Sequence, residues 1–310
     1  MFGDQISKLE SDILNTVIYF DIFDFPLTSF EIWKNLYSKE KSNLKEIIDI
    51  LDNSNVIKEK LDKKESFYFL KNREDIITKR KSNYIVSYNK YKKGIKFIKL
   101  ISHFSCFKSI FISNNMSIDN SKNESDIDLF IVSRKNKIWT SRFISAFIAK
   151  ILGLRPTLKT KKDKICLSIF LDQKDLNLKK VCSKKDAHFL YWVNQIVPVF
   201  DPSNIYKKFI NENNWIKEDL SNIFEYKTGH KRLVENNTNK KVIRKFSNIL
   251  SLNFLERVFK KLEMKIFPVS IKNKIEKNNS EDVFVDDLMI KLHDNDNRRI
   301  YNDLFLERIK

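Results

Sequence analysis

The short apolar run Leu129–Val132 begins directly after two carboxylates, in the order Ser125-Asp126-Ile127-Asp128. An apolar run of this length, with a polar segment before it, is typical of a short buried strand. Because side chains at positions i and i+2 of a strand point to the same face, we expect the two carboxylates to lie side by side. Two adjacent carboxylates repel each other unless a cation lies between them, and Mg²⁺ prefers oxygen ligands of this kind. The motif therefore predicts a strand whose first residues bind a divalent cation.

The segments around this motif alternate between strand-like and helix-like patterns. Phe107–Ile112 is a short apolar run that predicts a first strand, and Asp128–Val132 predicts a second. Trp139–Leu152 has the spacing of an amphipathic helix, and Ile165–Leu171 predicts a third strand. This order favours a small mixed α/β core.

Within that core, residues 107–171 resemble the catalytic core of the DNA polymerase beta-like nucleotidyltransferase superfamily. Its signature is a Gly-Ser turn after a strand, followed by Asp-x-Asp at the start of the next strand. Asp126 and Asp128 match the second half of this signature, and Asn114-Asn115 stand where the Gly-Ser pair would be. More widely, the chain is similar to uncharacterised bacterial proteins that join a winged helix to such a domain. The segments that carry this similarity are residues 19–28, 138–143 and 291–296.

The resemblance implies a magnesium-dependent transfer of a nucleoside monophosphate from a nucleoside triphosphate to an acceptor hydroxyl of unknown identity. It also implies roles for particular residues. Asp126 and Asp128 would be the catalytic pair and the Mg²⁺ ligands. The residues expected at the bound nucleotide are Asn114, Asn115, Ser125 and Arg142.

Two features depart from the family pattern. Asn114-Asn115 replace the Gly-Ser pair, although asparagine tolerates a left-handed backbone better than other non-glycine residues, and helix N-terminal amides after Asn115 could hold phosphate. The family's third carboxylate is also missing, because Cys166 and Ser168 occupy its face of the third strand, and Asp163 and Asp172 are the nearest acids. The alternative interpretation is a catalytically degenerate nucleic-acid-binding or regulatory protein that keeps the fold.

The first part of the chain predicts a winged helix. Helical spacing covers residues 8–20, Thr28 with Glu31 predicts a capping box that opens a second helix, and Ser42 can cap a third. We expect two strands after these helices, Val56–Leu61 and Ser66–Leu70.

The whole chain is then expected to be a mixed α+β and α/β protein with four parts. These are a winged-helix-like domain (1–71), a basic helical connector (72–106), the nucleotidyltransferase-like core (107–182) and a helical C-terminal region (183–310). Within the last part we expect a flexible linker over 270–282, an extended or irregular segment over 283–292 and a final helix over 298–310. His293-Asp294 with Arg298-Arg299 is a polar cluster that could fold back onto the site.

Composition excludes several classes of enzyme. The 310 residues include only 4 glycines, and none are spaced for a GxGxxG turn or a Walker A loop, so Rossmann dinucleotide enzymes and P-loop NTPases are excluded. The 3 cysteines form no CxxC pair, and none of the 4 histidines lies beside a cysteine at zinc-ligand spacing. The odd, sparse set of cysteines argues for a reducing compartment and against a disulfide scaffold.

Charge and hydropathy bear on partners. Lysine and arginine number 58 against 40 acids, and the net charge of +18 favours a polyanion, either a nucleoside triphosphate or a nucleic acid. Compositional drift in a chain rich in lysine and asparagine would give the same excess. The longest apolar segment, Phe143–Leu154, is too short to span a membrane and contains Lys150. Since residues 1–10 do not match a signal peptide, we expect a cytoplasmic protein with no membrane partner.

Overall fold

The computed structural model describes residues 6–157, 160–183, 186–223, 232–235, 253–276, 282–292 and 297–310. Over these residues the chain has the mixed α/β architecture expected from its sequence. The helices are α1 (Lys8–Asp21), α2 (Ser29–Lys34), α3 (Leu44–Asn53), α4 (Asn55–Lys60), α5 (Asp75–Ile101), α6 (Ile138–Ile151), α7 (Ala187–Asn194), α8 (Ile205–Glu212), α9 (Asn253–Ile266), α10 (Val269–Glu276) and α11 (Arg298–Arg308). The strands are β1 (Leu61–Lys64), β2 (Phe67–Leu70), β3 (Phe107–Ile112), β4 (Ile127–Ser133), β5 (Ile165–Asp172), β6 (Val197–Phe200), β7 (Val283–Val285) and β8 (Met289–Leu292).

A six-stranded mixed sheet in the order β6-β3-β4-β5-β8-β7 forms the centre of the described chain. Only β4 and β5 pair in parallel, and the other neighbours are antiparallel. The predicted strands β3, β4 and β5 agree with the sequence within one residue at each end. They lie next to one another at the middle of the sheet.

The C-terminal region, predicted to be helical, also supplies β6, β7 and β8 to this sheet. The extended pattern of residues 283–292 was visible in the sequence, but the run Val197–Phe200 was not recognised as a strand. A run of four apolar residues has no helical or strand periodicity of its own, so its neighbours in the sheet decide its conformation.

Helices cover both faces of the sheet. Phe111 and Phe130 point to one face, where they pack with α1, α7 and α8. Ile110 and Ile131, one position away in each strand, point to the opposite face and pack with α5 and α6. The alternation follows from the strand pleat, and burial on both faces explains why these strands are almost entirely apolar.

The N-terminal unit contains α1 to α4 and the hairpin β1–β2. The capping box of Thr28 with Glu31 is confirmed, and Asn43, rather than Ser42, caps α3 with Glu46. The predicted strand Val56–Leu61 is wrong, because residues 55–60 form the helix α4. The hydroxyl of Ser54 caps this helix by accepting a hydrogen bond from the Ile57 amide.

The hairpin therefore begins later than predicted, and its turn lies at Glu65-Ser66. Both turn residues have positive φ, 51° and 67°. Such a turn matches the twist of a tight two-residue hairpin.

Two further segments complete the described chain. Residues 270–276, predicted to be part of a flexible linker, belong to α10, and Ile271 is buried in the core. The final helix α11 is as predicted. Over the described residues, none of the helices combines the length and the hydropathy that a membrane-spanning segment requires.

Candidate functional site

A cavity of about 490 Å³ lies where the first residues of β4 and β5 meet α1, α7 and the segment that leads into α11. A pocket of this size is typical of a small-molecule site. Asp126 and Asp128 lie in its wall, together with Asn114, Asn115 and Ser125. The structure therefore brings together five of the six side chains that the sequence predicted to act at one site.

The two carboxylates lie side by side because of the strand pleat. Asp126 precedes β4, Asp128 is its second residue, and both face the cavity. In the parallel register of β4 and β5, Asp128 is paired with Cys166. One ligand atom from each of Asp126, Asp128 and Cys166 lies within 4.8 Å of the other two. The face expected to carry a third carboxylate thus carries a thiol, as the sequence indicated.

The carboxylate pair is electrostatically destabilised without a cation. Burial, and then the adjacent charge of Asp126, raise the pKa of Asp128 to about 7, against the opposing effect of the Asn114 side chain. Burial also raises the pKa of Asp126, and the charge of Lys161 acts in the opposite direction. The pair therefore tends to retain a proton near neutral pH, which a bound cation would displace.

The donor set can be compared with the needs of Mg²⁺. Two carboxylate oxygens on one wall of a cavity are suitable ligands for a hard cation that keeps several waters. Burial, and then the charges of Asp128 and Asp126, raise the pKa of the Cys166 thiol well above its ordinary value, and a neutral thiol is a poor ligand for such a cation. Asp126 and Asp128 therefore fit Mg²⁺, and Cys166 adds nothing to its coordination.

The turn between β3 and β4 begins at Asn114, whose φ of +57° is in the left-handed region that asparagine tolerates. The Asn114 side-chain oxygen accepts a hydrogen bond of 2.7 Å from Trp192 Nε1. Residues 114–116 form one turn of 3-10 helix, and this helix ends at Met116. The expected helix with free N-terminal amides after Asn115 is therefore not formed, and the side chains of this turn carry its polar groups into the cavity.

A buried lysine holds the loop in front of the carboxylates. Lys90, on α5, is only 1% exposed. Its ammonium group donates to the carbonyl oxygens of Asn123 and Ser125 at 3.1 and 2.7 Å, and to Asp163 at 2.9 Å. Asp163 is thereby committed to an ion pair, and it is not in the cavity wall. No local pattern in the sequence distinguishes Lys90 from the other lysines of the connector.

The two acids nearest the expected third position do not reach the site. Asp172 accepts hydrogen bonds from the backbone amides of Asn136 and Lys174 and lies outside the cavity. Among the described residues that line the cavity, Asp126 and Asp128 are the only acids. Asp294 and the rest of residues 293–296 lie outside the described residues.

Arg142 was expected at the nucleotide, but the structure places it elsewhere. Its side chain is 5% exposed and forms an ion pair of 3.1 Å with Glu263 of α9. It also donates to the carbonyl oxygen of Leu167 at 2.8 Å. Arg142 lies on α6, and α6 packs on the same face of the sheet as α5 and α9. Arg142 is therefore not in the cavity wall.

An aromatic wall, which the sequence did not predict, completes the cavity. It consists of partly exposed rings of Phe23, His188, Trp192 and Tyr301. Phe23 stacks on His188, whose ring nitrogen Nδ1 shares a hydrogen bond of 2.9 Å with the Tyr19 hydroxyl. These contacts hold the His188 ring in place while it also borders the cavity.

Basic residues from the C-terminal part lie in the same wall. Lys291 of β8 and Arg298 of α11 line the cavity, and Arg298 is paired with Asp186 at 3.2 Å. The residues of segments 19–28 and 291–296 that line the cavity are Tyr19, Phe20, Phe23, Lys291 and Leu292. The expected similarity of these segments to other proteins was the signal that could have pointed to this wall, whereas residues 138–143 do not line it.

Comparisons of the chain with protein-family models, with curated proteins and with solved structures found no significant match. The functional interpretation therefore depends on the geometry of the cavity and on the chemistry of the side chains that line it.

Proposed function

We propose that the protein transfers a nucleoside monophosphate from a nucleoside triphosphate to an acceptor hydroxyl, with Mg²⁺ held by Asp126 and Asp128. The observation that carries this proposal is the position of the two carboxylates, adjacent on β4 and in one cavity with the turn at Asn114 and Asn115. In this interpretation the sheet around β3, β4 and β5 is a nucleotidyltransferase core, and the N-terminal helices with their hairpin are a winged helix.

The reaction forms a bond between the acceptor oxygen and the α-phosphorus. The bond from the α-phosphorus to the bridging oxygen breaks, pyrophosphate leaves, and the acceptor proton passes to solvent. Mg²⁺ supplies charge neutralisation at the phosphates and the leaving group. Asp126 and Asp128 hold the cation, and Asn114, Asn115 and Ser125 offer polar side chains to the phosphates. The charge of Lys161, in the same wall, favours a polyanionic ligand.

The aromatic wall gives the other end of the nucleotide a place to bind. Phe23, Trp192 and Tyr301 present partly exposed ring surfaces, and stacking on such rings stabilises a nucleobase. Trp192 donates its hydrogen bond to Asn114, so this wall begins directly beside the polar turn. One nucleotide could therefore contact both ends of the cavity.

The test is calorimetric titration of ATP, GTP, CTP and UTP, each with Mg²⁺, into the wild-type protein and into Asp126→Asn/Asp128→Asn. We expect magnesium-dependent binding of at least one nucleotide by the wild type and its loss in the double variant. The matched control is Asp172→Asn, a buried acid outside the cavity, which should bind as the wild type does. Failure of the wild type to bind any of the four nucleotides would overturn the proposal.

A catalytically degenerate protein is the second candidate, and Cys166 is the observation that favours it. The thiol stands where a third carboxylate would assist metal binding or accept the proton of the acceptor, and no other acid among the described residues lines the cavity. Such a protein would bind nucleotide or nucleic acid without turnover.

Pyrophosphate release by the wild-type protein separates the two candidates, and Cys166→Asp tests whether position 166 is where a third carboxylate would act. For a degenerate site, wild-type protein binds the nucleotide but releases no pyrophosphate, and the added carboxylate strengthens Mg²⁺ binding about tenfold or more. Cys166→Ser, similar in size and uncharged, is the control and should bind Mg²⁺ as the wild type does. Release of pyrophosphate by the wild type with a suitable acceptor would exclude the degenerate alternative.

A further inference from the structure

The helix α5 has an unusual charge distribution. Residues 76–101 contain no aspartate or glutamate and eight basic residues. The eight are Lys79, Arg80, Lys81, Lys90, Lys92, Lys93, Lys96 and Lys99. A surface helix normally carries charges of both signs, which support each other three or four residues apart. Over these seven turns no acid within the segment compensates the basic residues, so any compensation comes from acids outside it.

One side of α5 is buried and the other is exposed over most of its length. Tyr91, Gly94 and Ile98 are among the residues that face the protein interior. On the other side Tyr84, Ile85 and Tyr88 are 52%, 62% and 46% exposed. Large apolar and aromatic groups grouped in this way on a surface indicate an interaction site.

The exposed lysines continue the same side of the helix beyond the tyrosines. Tyr84, Tyr88, Lys92, Lys96 and Lys99 follow each other at intervals of three or four residues, so they form one stripe along the helix. Lys92 lies with its ammonium group 4.2 Å from the centre of the Tyr88 ring. We call this stripe, together with Ile85, the exposed α5 face.

The lysines of the exposed α5 face are available to a partner. Lys79, Arg80, Lys81 and Lys93 are paired with acids outside residues 76–101. Lys92, Lys96 and Lys99, in contrast, form no ion pair with the described residues of the chain. Their charge is therefore not compensated within that part of the protein, and it lies next to two exposed aromatic rings.

We infer that the exposed α5 face binds single-stranded nucleic acid. Lysines neutralise backbone phosphates and release their counterions, and exposed aromatic rings stack on unpaired bases. The two tyrosines and then the three lysines follow one another along the helix over about four turns, so a strand that runs along this face can stack its bases at one end and place its phosphates at the other. A duplex keeps its bases stacked inside, so it can use the lysines but not the tyrosines.

The exposed α5 face lies on the same helix that shapes the candidate site. Lys90, two residues before Lys92, holds the loop in front of Asp126 through the carbonyl oxygens of Asn123 and Ser125. At Gly94 the helix comes so close to β4 that an added Cβ would lie 3.2 Å from the Ile127 side chain. The identity of the acceptor rests on the proposed nucleotidyl transfer, whereas the binding of a strand does not. If that transfer holds, the acceptor is the end of a nucleic-acid strand that lies along α5.

Binding is tested by fluorescence anisotropy of a labelled oligouridine and of a labelled duplex of similar length, over a series of salt concentrations. Tyr84→Ala/Tyr88→Ala should weaken binding of the single strand about tenfold or more and leave duplex binding unchanged. Lys92→Gln/Lys96→Gln/Lys99→Gln should lower the slope of log affinity against log salt by about 2 for the single strand, since each phosphate contact contributes about 0.7. The matched control is Lys135→Gln/Lys207→Gln/Lys217→Gln, three exposed lysines on other elements, with an expected slope equal to that of the wild type.

Several results would overturn the inference. These are no binding of the single strand by the wild type, equal effects of the two lysine variants, or equal loss of single-strand and duplex binding in the tyrosine variant. Binding to phosphatidylserine vesicles with the same lysine dependence, but not to the oligonucleotide, would identify a membrane surface instead. Asp126→Asn/Asp128→Asn should bind the oligonucleotide as the wild type does, so failure at the nucleotide site and failure at α5 remain distinguishable.

Discussion

At the scale of single residues, Asp128 combines a charge with an unfavourable environment. Burial and the neighbouring Asp126 raise the pKa of its carboxyl to about 7 from an ordinary value of 3.8. A group whose folded pKa is higher than its unfolded pKa binds its proton more tightly in the folded protein. Its contribution to folding stability is complete below the unfolded pKa and is lost as the pH rises through about 7.

Asp128→Asn removes this cost of ionisation, so we expect a variant that is more stable than the wild type at pH 8 and equally stable at pH 4. The gain is of the order of 2–4 kcal/mol, because each pKa unit corresponds to about 1.4 kcal/mol. Urea denaturation at both pH values, without divalent cations, measures it. An Asp128→Asn protein that is less stable than the wild type at pH 8 would contradict the pKa assignment.

Asp163→Asn is the control of opposite sign. Burial would raise the pKa of Asp163, but hydrogen bonds from Lys93 and Lys90 outweigh it and lower the pKa. The ionised carboxylate therefore stabilises the protein above its unfolded pKa. We expect Asp163→Asn to destabilise at pH 8, and the difference from the wild type to disappear as the pH falls through the folded pKa.

At the scale of elements, α6 shows how an amphipathic helix acquires its function from its neighbours. Its boundaries were predicted within one residue, and its buried positions follow the helical period. The carboxylate of Glu256 on α9 accepts hydrogen bonds from the amides of Trp139 and Thr140, which caps the first turn of α6 from another element. Arg142 and Glu263 form a second link between the same two helices. Both links concern the docking of helices rather than the binding of a ligand.

Arg142→Met tests this structural role. It leaves the buried Glu263 without its partner, so we expect a loss of about 3–5 kcal/mol of unfolding free energy by urea denaturation. Arg142→Met/Glu263→Met removes both charges and should recover most of that loss. Nucleotide affinity per folded molecule should equal that of the wild type in both variants. Loss of nucleotide binding in the more stable double variant would show that Arg142 contributes to nucleotide binding.

At the scale of the whole molecule, the cavity is assembled from distant parts of the chain. Tyr19 of α1, His188 of α7 and Tyr301 of α11 meet in one cluster of rings. Phe305, one turn after Tyr301, is fully buried against Tyr19 and Tyr37. The final helix therefore joins the N-terminal unit to the sheet and closes the aromatic wall.

Phe305→Ala should destabilise the protein by about 3–5 kcal/mol, as large-to-small changes at fully buried aromatic positions do. Leu304→Ala, at a neighbouring position that is 36% exposed, is the matched control and should cost less than about 1 kcal/mol. Denaturation followed by circular dichroism and by tryptophan fluorescence measures both. A small loss for Phe305→Ala, equal to that of Leu304→Ala, would show that α11 is not part of the common core.

The sequence by itself determined the central strands and the adjacent carboxylates, because both depend on local spacing. A strand places Asp126 and Asp128 on one face whatever surrounds it, and the position of Cys166 on the paired strand followed from the same alternation. The left-handed backbone at Asn114 also agrees with a preference of that residue type alone.

Only the tertiary structure decided which other groups meet these carboxylates. The position of Arg142 depends on the helix that covers its side of the sheet, and that of Lys90 on the close approach of α5 to β4. The aromatic wall joins residues from opposite ends of the chain, since Phe23 packs against Tyr301. Contacts of this kind arise from the simultaneous burial of several amphipathic elements around one sheet, and no local pattern in the sequence specifies them.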